Sequence, residues 1–556
     1  MYRIITVILL GIISCIVPST RQMVPYDIVI YGGGFAGCAA ASTAASYAPY
    51  KDILLVIPEP VQKPGGLGTV GGQNFADIRY WENKLVTTGS FGRWYNEAGQ
   101  FYSTELMAEI INRDLARFPN LKIIYSSDIQ QVRVKDDRIH SIYICPVIRE
   151  RNGLIKWQGG KNLVSGEVFI DASIDGRLAR LAGVPLNVGR QDWPLQYLSE
   201  EEKNADVAYQ QAATLMFKVT GIEVPDLPKH TGEWAFTQDF KGNWGVAGGK
   251  HTWASDPLVV EFNRKYAQEG FSIKPINAAQ NGAGSDEWWV NTLLIYNVDA
   301  RAHMRDKGTA RYPQKTLPHH LTVDKAWVAA REFLQNPDFI NTLRQFKVKE
   351  GNKTYGFEEA ELVLDTMGNP VVGEVLYIRE SVHTRLSEQH PVQDSENHSF
   401  AVTTTETQQA GSSNNKGSDI ENYPSRIGLG YYMMDINAYQ PDDLTRSGGY
   451  EWPVTSWLRP DFLEDGGEPY NPVYLPYQML VTEEVDNLLL PGYAVGCSSF
   501  AWAELRVLPN LAVLGDASGF AAVRAVSYNE NLNSFDTHQI VWVQDRLKEM
   551  GALLEK

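Results

Sequence analysis

The sequence predicts an α/β fold, and three observations carry that reading. Ile28-Val29-Ile30-Tyr31 is a short apolar run of strand type that ends in Gly32-Gly33-Gly34, and the small residues Ala36 to Ala41 then open a helix. A second apolar run, residues 53–57, follows at the distance expected of the next parallel strand. The same strand–loop–helix alternation returns near the other end, from residue 487 onward, after a less regular middle.

In the first unit, Gly32, Gly34 and Gly37 fit G-x-G-x-x-G, with the strand before it and the helix after it. Gly32 allows the tight turn, Gly34 leaves room for a pyrophosphate against the backbone, and Gly37 lets helix and strand pack closely. The helix N-terminus aims N–H groups and a positive dipole end at such phosphates. Gly32, Gly33, Gly34, Phe35, Ala36 and Gly37 are therefore the candidate dinucleotide cradle. At the end of the second strand Ile57 occupies the place usually taken by a ribose-binding acid, and Glu59 follows it. Glu59 either binds ribose from a shifted position or is a solvated loop charge.

Gly66, Gly68 and Gly71 repeat the spacing, but Pro58, Pro60 and Pro64 precede them in place of a strand. Residues 65–74 read either as a loop laid against a flat ligand, with Gly66, Thr69, Gly71 and Gly72 as contacts, or as a flexible surface loop. A helix is expected over 105–118, then strands at 121–125, 129–134 and 139–144, the last two joined by Asp136-Asp137-Arg138. A further strand at 168–170 runs into Asp171-Ala172-Ser173-Ile174-Asp175-Gly176 and a helix at 177–182. The middle, about 190–481, shows strands at 214–219 and 292–298, a helix near 325–335 and a polar stretch over 387–424. Residues 511–514 read as a final strand ending in Gly515-Asp516-Ala517, which places a carboxylate either near a polyol or at a helix N-cap. A helix over 520–526 and an amphipathic one over 538–554 close the chain.

A net charge of −16 argues against a nucleic-acid or anionic-membrane surface. The cysteines, Cys15, Cys38, Cys145 and Cys497, form no C-x-x-C, so neither a disulfide framework nor a metal site is expected. Residues 1–22 carry Arg3, an apolar run over 4–17 and Pro18-Ser19-Thr20. They read as a signal peptide with Val17 and Ser19 at a cleavage site, as a lipobox ending in Cys15, or as an uncleaved anchor. Export is the expectation, with any membrane association made through this segment or a lipidated Cys15.

Together these pieces resemble the bacterial FAD-dependent oxidoreductases of the glutathione-reductase-like superfamily, in the branch with a long central insertion. The resemblance runs through 27–41, 65–74, 168–184, 214–221, 291–299, 379–385, 427–437, 474–480 and 487–525. It implies a Rossmann-like FAD-binding domain built from both chain ends, 26–189 and 482–530, with a mixed α+β cap, 190–481, inserted, and a C-terminal helix over 536–556. It implies that Gly32, Gly34 and Gly37 hold the pyrophosphate, that the Ile129 backbone meets adenine, and that Gly515 and Asp516 meet the ribityl chain. The helix after Asp516 would then point toward the flavin. Ile174 stands where the family often has glycine.

Bound non-covalently, FAD would take a hydride from a small organic substrate, and oxygen, a quinone or another carrier would then accept the electrons. An NAD(P)H-dependent monooxygenase or reductase, or an exported non-catalytic binding protein, are the alternatives. Arg506 stands at the flavin, at a substrate carboxylate, or in a salt bridge with Glu504 or another acid. Gln73 and Asn74 follow the glycine loop. Arg379, His383 and Arg385 would share a face if helical, with His383 as a base or a structural residue. Tyr477 and Trp502 serve as cavity walls or as core.

Overall fold

The computed structural model describes residues 23–193, 195–384, 420–433, 435–444 and 471–556. Residues 1–22 with Cys15, Arg385, and residues 387–419 of the polar stretch lie outside them. The amino-terminal part runs β1 (Val24–Tyr31), α1 (Phe35–Tyr47), β2 (Ile53–Val56), α2 (Ser90–Ala98), α3 (Thr104–Ala116) and β3 (Leu121–Ile124). It continues with β4 (Ser127–Lys135), β5 (Arg138–Arg149), β6 (Ile155–Trp157), β7 (Asn162–Asp171) and α4 (Arg177–Ala182). Their sheet has the order β3-β2-β1-β7-β5-β4, with β3, β2, β1 and β7 parallel. Residues 28–31 and 53–56 are buried on both faces, which is why they are continuous apolar runs without alternation.

The carboxyl end of the chain enters the same sheet. Strand β15 (Leu488–Leu489) pairs in parallel with Phe169 and Ile170 of β7, beyond the half of β7 that pairs with β5. Helix α7 (Leu508–Tyr528) then packs along α1. The domain is therefore Rossmann-like and assembled from both ends.

The expectation of a strand at 511–514 is overturned, because these residues lie inside the 21-residue α7. A four-residue apolar run suits a buried helix as well as a buried strand, and here tertiary packing decides. Gly515 and Gly519, four apart, leave one face of α7 bare so that it can press on α1. A Cβ at Gly515 would lie 2.2 Å from the Ala36 carbonyl oxygen, and one at Gly519 2.8 Å from that of Ala40. Asp516 is thus neither at a strand end nor an N-cap. Its Oδ1 accepts from Thr43 Oγ1 (2.7 Å) and Ser90 Oγ (2.6 Å), and its Oδ2 accepts from the Ser90 N–H (2.8 Å). It clamps α1, α2 and α7 together, and Ala517 beside it is fully buried. Gly515, Asp516 and Ala517 are accordingly packing residues in place of the expected ribityl contacts.

The inserted region is more regular than its sequence suggests. Strands β8 (Phe217–Thr220), β9 (Lys229–Thr231), β10 (Trp234–Gln238), β11 (Trp244–Gly248), β12 (Phe271–Gln280), β13 (Trp288–Ile295) and β14 (Glu361–Leu362) form an antiparallel sheet. Its order is β9-β10-β11-β12-β13-β8-β14. Helix α5 (Val323–Phe333) and the helices Pro257–Tyr266 and Pro337–Leu343 are also part of this region, and Phe262, Phe333 and Phe339 meet in its core. Among the described residues no helix is long and apolar enough to cross a membrane.

Candidate functional site

The carboxyl ends of β1, β2 and β7 open on one crevice, the position where doubly wound sheets bind ligands. Gly32 turns the chain at φ +113°, and a Cβ there would strike the Ala172 carbonyl oxygen at 2.5 Å. A Cβ at Gly37 would lie 1.9 Å from the Gly32 oxygen, so α1 can start this close to the turn only without a side chain. Gly34, the N-cap of α1, has nothing within 4 Å of its missing Cβ. The cradle is therefore open on the side where phosphate oxygens meet the helix N-terminus. Gly33 faces the Ile57 side chain, and the Phe35 ring turns inward onto Trp94 (5.4 Å, edge-on), so these two offer backbone only.

The second glycine run is pinned and is not a free surface loop. The Gly65 N–H donates to the Gly33 oxygen (2.7 Å), and a Cβ at Gly66 would touch Gly34 Cα at 3.1 Å. Thr69 Oγ1 donates to the Pro64 oxygen (2.7 Å), so Thr69 closes the loop upon itself. Gly71 packs on Leu67 and Val375, and Gly72, at φ +85°, packs flat on Trp289 of the cap.

Glu59 is not a solvated charge. It is part-buried at the residue level, yet its Oε2 is inaccessible and has no partner among the described residues, and burial raises its pKa to about 7. It lines a cleft of about 650 Å³, part of it open to solvent, together with Tyr31, Ser173, Asp175, His303 and Arg305. His303 Nδ1 and Arg305 Nε also lack partners. An orphaned carboxylate oxygen, an orphaned imidazole nitrogen and an orphaned guanidinium N–H at the mouth of a parallel sheet fit the hydroxyl and phosphate oxygens of a dinucleotide. Because the folded pKa of Glu59 lies above its ordinary value, the folded state holds this proton where the unfolded chain has lost it. Stability of the FAD-free protein should therefore fall as pH rises from about 4.5 to about 7. In Glu59→Gln, urea midpoints across that window should show a shallower fall.

Ile129 does not present its backbone to adenine. Its N–H donates to Asp128 Oδ1 (2.6 Å), and its oxygen accepts from Arg177 Nε and Nη2 (2.9 and 2.8 Å). A buried guanidinium has taken the expected place.

A second polar cluster lies where the glycine loop meets the cap. Gln73 Oε1 accepts from Asn291 Nδ2 (3.4 Å), and Asn291 Oδ1 accepts from Arg379 Nη2 (3.2 Å). Arg379 Nη1 donates to the Ala212 oxygen (2.7 Å) and Thr214 Oγ1 (2.9 Å). Lys274 Nζ on β12 donates to the Asn291 oxygen (3.2 Å). Arg506, between helix α6 (Ser499–Leu505) and α7, donates through Nη1 to Tyr377 Oη (2.5 Å) and through Nη2 to Asp435 Oδ2 (2.7 Å). The salt bridge is therefore made, with Asp435 as the acid in place of Glu504. Burial, then the positive charge of Arg379, push Lys274 down to about 7. Burial, reinforced by Arg506, pushes Arg379 down to about 10. Burial opposes the charge of Arg506, but Tyr377 and Asp435 outweigh it and raise its pKa.

Two expected catalytic residues stand elsewhere. Asn74 Nδ2 donates to the backbone oxygens of Tyr102 (2.8 Å), Gln280 (3.1 Å) and Ala279 (3.3 Å), so it brackets loop to cap. His383 is on the strand Val382–Thr384, which removes the helical spacing that was to align it with Arg379. It lies buried 3.9 Å from Cys497 Sγ and 3.7 Å from Glu380 Oε1, with its ring centroid 5.3 Å from that of Trp502. Trp502 Nε1 donates to the Arg379 oxygen (2.7 Å), and Tyr477 stacks on Phe535, so both are core. Lys274 was missed, although it is the one charged residue in the stretch Phe271–Gln280 and was a visible signal. His303, Arg305 and Asp435 carried no such signal.

Among solved structures, the chain resembles a geranylgeranyl bacteriochlorophyll reductase-like protein from Thermoplasma acidophilum, at 10% identity over 95% of this chain and 84% of that one (TM-score 0.35). It also resembles FrdA of E. coli quinol fumarate reductase, at 11% identity over 95% and 75% (TM-score 0.28). A third likeness is to the myxobacterial chondrochloren halogenase CndH, at 11% identity over 65% of each chain (TM-score 0.29). None of the curated proteins compared matches the chain. The family model described as FAD dependent oxidoreductase matches residues 27–547, nearly the whole chain. The protein is thus a member of the FAD-dependent oxidoreductase family, and its cofactor is FAD.

Proposed function

We propose that the protein oxidises a small organic substrate, with Lys274 as the base that takes the substrate's proton. The observation that carries this reading is the buried amine of Lys274 on the Asn291 oxygen, where the glycine loop meets the cap; burial and Arg379 bring its pKa down to about 7. Bound FAD supplies a hydride acceptor at the flavin ring. The cradle from Gly32 to Gly37 and Glu59 would hold its pyrophosphate and a ribose. As the substrate C–H bond gives up its electron pair, the neighbouring O–H or N–H passes its proton to the neutral amine of Lys274. In the unliganded site Arg379 and Arg506 keep the local potential positive, which brings the amine's deprotonation down to near neutral pH and favours binding of negative charge beside it. Oxygen, a quinone or another carrier is the proposed final acceptor, in line with a single strand-flanked nucleotide fingerprint and with the proposed export of the protein.

Purified protein should absorb near ~450 nm, as bound flavin does. Under anaerobic conditions an organic donor should bleach that band and NAD(P)H should not. Rapid bleaching by NAD(P)H alone would favour the monooxygenase or reductase reading. Wild-type turnover should rise through about pH 7 as Lys274 loses its proton. Lys274→Met should lower turnover ~10²–10⁴-fold and lose that limb of the pH profile.

A further inference from the structure

We propose that Arg379 and Arg506 form a carboxylate-binding site, so that the substrate is a small organic acid. This rests on the oxidase or dehydrogenase reading above. Arg379 is 1% exposed, and no carboxylate among the described residues lies within ion-pair distance of it. Its acceptors are all neutral: the Ala212 oxygen, Thr214 Oγ1 and Asn291 Oδ1. These engage both Nη1 hydrogens and one on Nη2, leaving Nε–H and the other Nη2–H of the five donors. Nε and Nη2 are the donors that a carboxylate engages side by side.

Arg506 adds a second unmet donor. Its Nη groups hold Tyr377 and Asp435, while its buried Nε has no partner. Both guanidinium groups lie near one ring, Arg379 Cζ 4.5 Å and Arg506 Cζ 5.7 Å from the Tyr377 centroid. Lys274 shares this environment, and although the charge of Asp435 is felt by all three cations, its direct ion pair is with Arg506. A buried guanidinium without a counter-ion is costly, and the depressed pKa of Arg379 records that cost. An anion with two oxygens relieves it and meets the open donors. A substrate carboxylate here would also hold the neighbouring carbon close to Lys274, the geometry needed for oxidation next to an acid group.

The test is a comparison of matched probes on the holoenzyme. Benzoate and benzamide, and acetate and acetamide, differ in charge and little in shape. Each is titrated while flavin absorbance is followed, and binding is also measured by calorimetry. The expected result is at least ~30-fold preference for one carboxylate over its amide. In Arg379→Gln that preference should fall by a similar factor while amide binding is unchanged, and Arg379→Lys should restore part of it. Equal affinity for acid and amide, or binding of neither, overturns the proposal even if Arg379→Gln fails to fold. So does a variant that shifts the flavin potential yet leaves carboxylate affinity intact, since the anion served would then be the reduced flavin. A protein that binds no FAD would refute the proposed function separately, and the calorimetric arm would still read the arginine pair.

Discussion

Arg177→Met is expected to destabilise the protein by about 3–5 kcal/mol, the usual cost of removing one partner from a buried ion-pair network. Arg177 on α4 is 1% exposed and lies 3.1 Å from Asp128 and 2.7 Å from Asp306, both fully buried. Asp128 also accepts from Tyr31 Oη (2.5 Å) and Arg305, and Asp306 accepts from Arg311 Nε (2.7 Å). The three arginines surround the Trp157 ring. This network joins the end of β1, the start of β4 and the 304–306 turn of the inserted region. Methionine fills much of the volume but leaves two carboxylates short of a cation and the Ile129 oxygen short of its two donors. Urea unfolding should show the loss, and adding Asp306→Asn should recover part of it, because one of the stranded charges is then gone. If Arg177→Met unfolds at the wild-type midpoint, the network contributes nothing net.

Gly37→Val should abolish FAD binding. The first added carbon would sit 1.9 Å from the Gly32 oxygen and 3.2 Å from Ala172 Cβ, and neither the turn nor β7 can yield without opening the crevice. Overpacking of this kind costs ~1–3 kcal/mol where side chains can adjust, and more where the obstacle is backbone. The damage falls on the cradle itself, so flavin content after purification and the affinity of FAD titrated back are the measurements. Full flavin content in Gly37→Val would mean that the turn is not the pyrophosphate site.

The elements that could be read without a structure are those set by short-range patterns. The β1–turn–α1 unit was legible because strand, glycine spacing and small helical residues agree with one another over a few positions. Helix Arg177–Ala182 was read with its observed limits for the same reason: Gly176 and Gly183 bound it, both in left-handed conformation. Glu59 was legible as a candidate but not as a buried one, since two prolines flank it and nothing local reports what covers it.

What the sequence alone determined is the opening βα unit, the family to which the chain belongs, and the return of its carboxyl end to the same α/β pattern. These follow from spacing along the chain, which is a local property. Only the tertiary structure decided that residues 511–514 are helical, because the bare face of Gly515 and Gly519 finds α1 nearly five hundred residues away in sequence. It alone placed Lys274, Arg379 and Arg506 together, from a cap strand, a loop and a helix junction. Their chemistry depends on shared burial and mutual repulsion, which have no counterpart in the order of residues.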